Sequence, residues 1–151
     1  MSFGFGAGDI MAISKLASKV YTAYTAYKDA PSDYKHVAEE VKSLQIIINT
    51  AAQHFESPAL SDNNRQDGQE VLKGCQSILE DLNSLIDKYN SLAPNSTNKS
   101  QAFQRVMLGM EDIATLRARL ISNTTLLSSF IRRFDTLLLF ITLYIILISL
   151  S

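Results

Sequence analysis

Apolar residues recur at steps of three and four along most of this 151-residue chain. That spacing places them on one face of an α-helix, whereas a β-strand would need apolar and polar residues to alternate. Four such stripes follow one another, separated by short polar or proline-containing segments that cannot continue a helix. The pattern predicts an all-α fold: an up-and-down four-helix bundle with an additional C-terminal apolar helix.

The stripes also predict where helices begin and end. Asp9 is placed to cap the first helix, residues 61–65 are expected to form a loop or a frayed helix start, and residues 95–100 are expected to form a loop. The predicted core positions are Ile10, Ile13, Ala17, Val20, Tyr24 and Tyr27; then Tyr34, Val37, Val41, Leu44, Ile48, Ala51 or Ala52, and Phe55; then Val71, Cys75, Ile78, Leu82, Leu85, Tyr89 and Leu92; then Phe103, Val106, Met110, Ile113, Leu116 or Leu120, Leu127 and Ile131.

The residues that usually carry chemistry are few. His36 and His54 stand 18 residues apart on one predicted helix, about 27 Å along its axis, so they cannot share a metal ion. Cys75, the single cysteine, falls on an apolar stripe, where a buried thiol is expected. A net charge of -1 without interleaved aromatic and basic residues argues against nucleic-acid binding. The sequence predicts no enzyme, no cofactor, no metal site and no small-molecule substrate.

The C-terminal residues depart from the amphipathic pattern, because no charged residue occurs between Leu137 and Leu150. Such a helix is about 21 Å long, against a hydrocarbon core of about 30 Å. We therefore divide the chain into a bundle domain, residues 1–133, and an apolar C-terminal helix, residues 134–151. This helix is a candidate membrane anchor, a buried or oligomerising helix, or an artefact of how the gene was read. The anchor candidates are Leu137, Leu138, Leu139, Phe140, Ile141, Leu143, Tyr144, Ile145, Ile146, Leu147, Ile148 and Leu150.

Basic residues outnumber acidic ones between residues 99 and 133, with six against two. Such a face can attract lipid headgroups, although an ordinary solvated helix face has the same appearance. The candidates for headgroup contact are Arg117, Arg119, Arg132 and Arg133. The pair Arg132-Arg133, directly before the apolar helix, would favour keeping the bundle on the cytoplasmic side of a membrane. We expect a cytoplasmic protein, with membrane association through the C-terminal helix as an open alternative.

The N-terminus also combines glycine with phenylalanine. Gly4 and Gly8 lie four residues apart, a spacing that lets helices approach closely in lipid. The alternative is a glycine-rich lead-in whose two phenylalanines pack onto the bundle.

Several short motifs, in their order along the chain, resemble the N-terminal domain of fungal STAND (NLR-like) and ankyrin-repeat proteins. They are Phe3-Gly4-Phe5-Gly6, Gly8-Asp9-Ile10, Ser14-Lys15-Leu16-Ala17, Val20-Tyr21, Lys28-Asp29-Ala30-Pro31, Glu39-Glu40-Val41 with Leu44, Gly109-Met110-Glu111-Asp112-Ile113, Leu116-Arg117, Arg119-Leu120 and Asn123-Thr124. The likeness covers about residues 1–133. That domain is grouped with the HeLo-like helical bundles, in which a helical domain acts in programmed cell death, heterokaryon incompatibility and non-self recognition.

The resemblance implies that the bundle disrupts membranes through its N-terminal segment. The inserting residues would be Phe3, Gly4, Phe5, Gly6, Gly8 and Ile10. The chain departs from the family because an apolar tail stands where a regulatory NTPase or repeat region is expected.

Two hypotheses follow. The first is a membrane-active helical effector whose partner is membrane lipid. The second is a soluble interaction module that associates with itself or with another helical protein and has no membrane activity.

Overall fold

The computed structural model describes residues 5–26, 32–92 and 113–151. These residues form four α-helices: α1 (Ala7–Thr25), α2 (Ser32–Phe55), α3 (Asp62–Leu92) and α4 (Ile113–Ser149). Within the described ranges there is no β-strand, and the prediction of an all-α bundle is confirmed. Several predictions lie outside the described residues, namely those on Phe3, Gly4 and Tyr27, on the loop 95–100, and on Phe103, Val106 and Met110; the predicted core side chains of Tyr89, Leu92 and Ile113 lie outside the described side chains as well.

One hydrophobic core joins the four helices, and it uses the predicted stripes. Every described stripe residue of α1 and α2 is buried, from Ile10 to Tyr24 and from Tyr34 to Phe55. On α3 the core is broader than predicted, because Leu72 is fully buried whereas Val71 is only partly buried. The core positions that the stripes did not include are Ala38, Leu60, Leu72, Leu79, Ile86, Phe130 and Phe134.

The helices alternate in direction, as an up-and-down bundle requires. Ser14 Oγ donates a hydrogen bond to Asn49 Oδ1 at 2.6 Å, and Lys42 lies over the Tyr21 ring, so α1 and α2 are antiparallel. Along α4, Asn123 bonds to Gly74 of α3 and the earlier Arg119 bonds to the later Asp81, so α3 and α4 are antiparallel as well. Helices α2 and α4 run parallel.

The helices that are neighbours in space differ from those of a simple meander, in which each helix packs against the next one along the chain. Helix α1 packs mainly against α2 and α3, and both of these pack against α4, so α2 and α3 lie on a diagonal of the bundle. The chain crosses this diagonal in the short connection between Phe55 and Asp62, where Leu60 is buried. The guanidinium of Arg65 donates to the carbonyl oxygen of Phe55 at 2.6 Å, which ties the two helix ends together.

The structure corrects the predicted N-cap of α1 and, for residues 61–65, shows the helix-start alternative rather than the loop. Gly6, not Asp9, is the N-cap of α1, and the Asp9 carboxylate accepts a hydrogen bond from the Gly6 backbone N–H at 2.7 Å. A carboxylate three residues inside the helix satisfies the N-cap amide from the first turn. Residues 62–65 are helical because Ser61 precedes them as a cap, with its Oγ accepting from the Asn64 N–H at 3.3 Å.

The apolar C-terminal residues do not form a separate helix. They continue α4, which runs unbroken for 37 residues through the predicted boundary between residues 133 and 134. No glycine or proline occurs between Ile113 and Ser149, so nothing in the sequence interrupts the backbone hydrogen bonds. We call residues 113–134 the packed half of α4 and residues 137–150 the apolar segment.

Candidate functional site at one end of the bundle

The apolar segment leaves the bundle and is surrounded by solvent. From Leu139 to Leu150 every side chain is exposed, and Leu147 retains 68% of its accessible surface. Only Leu138, at the base of the segment, packs against the core. Amphipathic surface helices keep a polar face toward water, but this segment has large apolar side chains on all sides. In the described part of the chain, no helix combines the length and the apolar character needed to cross a membrane.

A histidine bridge marks the point where α4 leaves the bundle. His54, near the end of α2, has one ring nitrogen 2.9 Å from the Thr50 carbonyl oxygen and the other 2.7 Å from Asp135 Oδ1. Its ring also meets the Phe134 ring edge-on, with 5.1 Å between the ring centroids. Both ring nitrogens are occupied, so His54 has no nitrogen left to act as a general base.

The pattern of residues along the sequence does not predict this bridge. His54 and Asp135 are 81 positions apart, and no local spacing links them. Because the His54 side chain is only 12% exposed, it is part of an interface between helices.

The four arginines proposed for headgroup contact divide into two pairs. Arg117 forms a two-pronged ion pair with Glu40 of α2, with Nη2 2.7 Å from Oε1, and Arg119 pairs with Asp81 of α3 at 2.7 Å. Both side chains therefore hold α4 to its neighbours. By contrast, Arg132 and Arg133 are exposed and form no ion pair with any described residue. Of the four candidates, these two are placed to meet an external partner.

The N-terminal candidates are also divided. Ile10 is fully buried in the core, so a bilayer cannot reach it while the bundle stays closed. Phe5 is partly buried and packs against the core, as the lead-in alternative expects, whereas Gly6 and Gly8 are exposed. Phe3 and Gly4 lie outside the described residues.

Both candidate ends meet at one end of the bundle. Helices α1 and α2 are antiparallel, so the start of α1 lies beside the end of α2. Helices α2 and α4 are parallel, as the contacts Glu40–Arg117 and His54–Asp135 show, so the apolar segment leaves from that same end. The start of α3 lies there too, because only the short connection 56–61 separates it from α2. We call this region the apolar end of the bundle.

The described residues contain no group of three or more histidine, cysteine or acidic side chains able to hold a metal ion. Cys75 is buried between α3 and α4, and its thiol lies 3.8 Å from the carbonyl oxygen of Asn123. Burial raises the pKa of the Cys75 thiol to about 12, which keeps it protonated and unreactive at neutral pH. A nucleophilic role for this residue therefore has no support.

Comparison with known proteins identifies the family of this chain. No curated protein and no solved structure matches this chain. The sequence profile of SesA, described as an N-terminal domain on NACHT NTPases and P-loop NTPases, matches residues 7–127. The match covers α1, α2, α3 and the first part of α4, including the Arg117 and Arg119 ion pairs. The chain therefore belongs to the SesA family of N-terminal domains on NACHT and P-loop NTPases.

Proposed function

We propose that this helical signalling domain acts by associating with membranes through its apolar segment. The observation that carries the proposal is the exposure of that segment on every face, one helical turn after Arg132 and Arg133. We further propose that membrane association serves programmed cell death or non-self recognition, the role implied by the resemblance described above. Family membership supports a non-catalytic signalling role, because the profile describes a domain that accompanies NTPases.

The hydrophobic effect favours transfer of the apolar segment from water into lipid. Transferring a fully exposed leucine, isoleucine or phenylalanine out of water is worth roughly 1.5–3 kcal/mol. The apolar segment carries such side chains at most of its positions, so even partial transfer favours lipid strongly. A segment of about 21 Å is longer than one leaflet but shorter than the whole hydrocarbon core, which is about 30 Å thick. The segment can therefore enter the bilayer from one side without crossing it.

The arginines favour a defined depth of entry. Arg132 and Arg133 are exposed at the base of the segment, where a helix entering a bilayer passes the headgroup region. Guanidinium groups form charge-assisted hydrogen bonds with phosphate oxygens. Asp135 is held by His54 at the same level. These residues support insertion that stops at the base of the segment and leaves the bundle in water.

Vesicle flotation tests the proposal. The full chain is mixed with phosphatidylcholine vesicles, and the fraction that floats is compared with that of Leu143→Glu and of Ile46→Glu. Leu143 and Ile46 are 54% and 58% exposed, but only Leu143 lies in the apolar segment. A charged residue in a bilayer is disfavoured by roughly 2.5–3.5 kcal/mol, so we expect Leu143→Glu to bind about a hundredfold more weakly.

Ile46→Glu should float like the unaltered chain. Equal flotation of all three proteins, or failure of the unaltered chain to float, would refute membrane association through this segment. The effector role is tested separately, by release of a dye enclosed in the same vesicles. Binding without dye release would leave the chain a membrane-anchored signalling domain and would contradict the disruptive role in cell death.

Self-association in water is the second candidate function, and the same exposed segment favours it. The segments of two or more copies can cover one another, as apolar helices do in bundles. Light scattering of the chain without lipid distinguishes the two functions. A stable oligomer that Leu143→Glu dissociates, and that does not bind vesicles, would favour the soluble module.

A further inference from the structure

We infer that a pocket at the base of the apolar segment binds the headgroup of a zwitterionic phospholipid, an inference that rests on the proposed membrane association. The pocket lies at the apolar end of the bundle, where the α2–α3 connection, the start of α3 and the end of the packed half of α4 meet. Its lining residues are Leu60, Asn64, Asp67, Phe130, Arg133 and Phe134.

The pocket has an apolar floor and a polar rim. Leu60, Phe130 and Phe134 are almost completely buried, so their remaining surface forms the floor. Asp67 and Arg133 are exposed and Asn64 is half-buried, and these three supply the rim. The rim therefore offers one anionic group, one cationic group and one amide.

The two rim charges are not neutralised. Elsewhere on α4 the arginines pair at 2.7 Å, Arg117 with Glu40 and Arg119 with Asp81. Neither Asp67 nor Arg133 forms an ion pair with the other or with any further described residue, although both line one pocket. Two opposite charges that face one space without pairing are suited to a ligand that itself carries both charges.

Phosphatidylcholine and phosphatidylethanolamine headgroups have that charge arrangement, with an anionic phosphate and a cationic ammonium group. The guanidinium of Arg133 can hold two phosphate oxygens at once, and the Asn64 amide can donate to another. The carboxylate of Asp67 attracts the ammonium group. A headgroup seated this way leaves its acyl chains beside the apolar segment, because Phe134 and Leu137 are within one helical turn of Arg133.

The surrounding charge favours a zwitterionic lipid over an anionic one. Among the described residues, the apolar end carries five carboxylates and three guanidiniums, so an anionic surface or a free phosphate ion meets net repulsion from them. The carboxylates belong to Asp9, Glu56, Asp62, Asp67 and Asp135, and the guanidiniums belong to Arg65, Arg132 and Arg133. The local excess of basic residues that the sequence shows between residues 99 and 133 therefore does not make this end cationic.

Binding of short-chain lipid monomers tests the pocket without vesicles. The full chain is titrated by calorimetry with dihexanoylphosphatidylcholine and, separately, dihexanoylphosphatidylglycerol, both below the concentration at which they form micelles. We expect tighter binding of the phosphatidylcholine. Arg133→Gln should weaken it by about fivefold, the effect of losing one partly solvated charge-assisted hydrogen-bond pair. Arg132→Gln is the matched control, since Arg132 is also exposed but does not line the pocket.

Asp67→Asn tests the zwitterion directly. Loss of the carboxylate should weaken phosphatidylcholine binding and strengthen phosphatidylglycerol binding, so the preference between the two lipids should vanish. Equal affinity of the unaltered chain for both lipids, or an Arg132→Gln effect as large as that of Arg133→Gln, would overturn the inference. If monomers bind as expected while vesicles do not, membrane association fails and the pocket stands. If vesicles bind and monomers show no preference, membrane association stands and the inference about the pocket fails.

Discussion

The two halves of α4 share one continuous backbone but have opposite surroundings. In the packed half, Leu116, Leu120 and Leu127 are fully buried, and two arginines reach to α2 and α3. In the apolar segment, the leucine side chains are exposed to solvent from Leu139 onward. Secondary structure alone therefore does not distinguish a helix that stabilises a fold from one that needs a partner. The distribution of polar residues distinguishes the two, because only the packed half has both an apolar face and a polar face.

Thiol labelling gives the largest contrast between the two halves. Cys75 packs against the packed half, and burial raises its pKa to about 12 from the ordinary value of 9.0. A pKa of about 12 instead of 9.0 reduces the reactive thiolate fraction at pH 8 about a thousandfold. We expect Cys75 to react with a disulfide reagent at pH 8 about a thousand times more slowly than a cysteine placed by Leu147→Cys. Comparable rates at the two sites would mean that α3 and the packed half of α4 separate readily.

Removal of leucine side chains should separate the two halves by stability. Leu120→Ala deletes buried methyl groups in the packed half and should reduce the free energy of unfolding by about 2–5 kcal/mol. Leu147→Ala deletes the same atoms in the apolar segment, where the change should stay within about 0.5 kcal/mol. Urea unfolding followed by circular dichroism measures both. A large loss for Leu147→Ala would show that another surface already covers the segment.

The contrast within α4 also shows which features of the fold can be predicted from the sequence. Apolar periodicity is a local property, so it identified the buried faces of α1 and α2 from Ile10 to Phe55 without knowledge of the fold. It did not reveal that α2 and α3 lie on a diagonal, because helix order in space depends on contacts between distant residues. It also placed a helix boundary after residue 133, where composition changes but no residue breaks the helix.

The candidate site was only partly predictable for the same reason. Exposure of the apolar segment follows from its composition, since it has no polar face to present to water. Composition does not show which arginines are paired, because the partners of Arg117 and Arg119 are 77 and 38 positions away along the chain. These partners are Glu40 and Asp81, whereas Arg132 and Arg133 form no ion pair with a described residue. The pocket around Asp67 and Arg133 likewise joins residues from different helices. Charge counts along a sequence cannot show which charges are already paired.

Two glycines test how tightly the packed half is held near its end. A Cβ added at Gly68 of α3 would lie 2.6 Å from ring carbons of both Phe55 and Phe130, whose ring centroids are 5.8 Å apart. Gly68→Ala should therefore destabilise the protein by about 1–2 kcal/mol, although alanine alone favours a helix by about 1 kcal/mol. Gly8→Ala is the matched control, because nothing lies within 4 Å of a Cβ there. It should leave stability unchanged or raise it slightly. A stabilising Gly68→Ala would contradict the close ring packing.

The smallest expected effects come from the ion pairs that hold the packed half. Side chains of Arg117 and Glu40 are 29% and 20% exposed, whereas those of Arg119 and Asp81 are 38% and 47% exposed. Solvent screens an exposed pair more strongly, and the Glu40 carboxylate receives two guanidinium contacts. We expect a coupling free energy of about 1 kcal/mol for Arg117–Glu40 and at most about 0.5 kcal/mol for Arg119–Asp81.

Double-mutant cycles in urea measure both couplings. Arg117→Gln is combined with Glu40→Gln, and Arg119→Gln with Asp81→Asn, so that each cycle removes charge while keeping similar side-chain volume. Because the cycle subtracts every other contact that Arg117 or Arg119 makes, only the pairwise coupling remains. A larger coupling for the more exposed pair would mean that α3 rather than α2 supplies the stronger polar attachment of α4. The packed half would then be held mainly on the side away from the His54–Asp135 bridge, and the base of the apolar segment would depend on that bridge for its position.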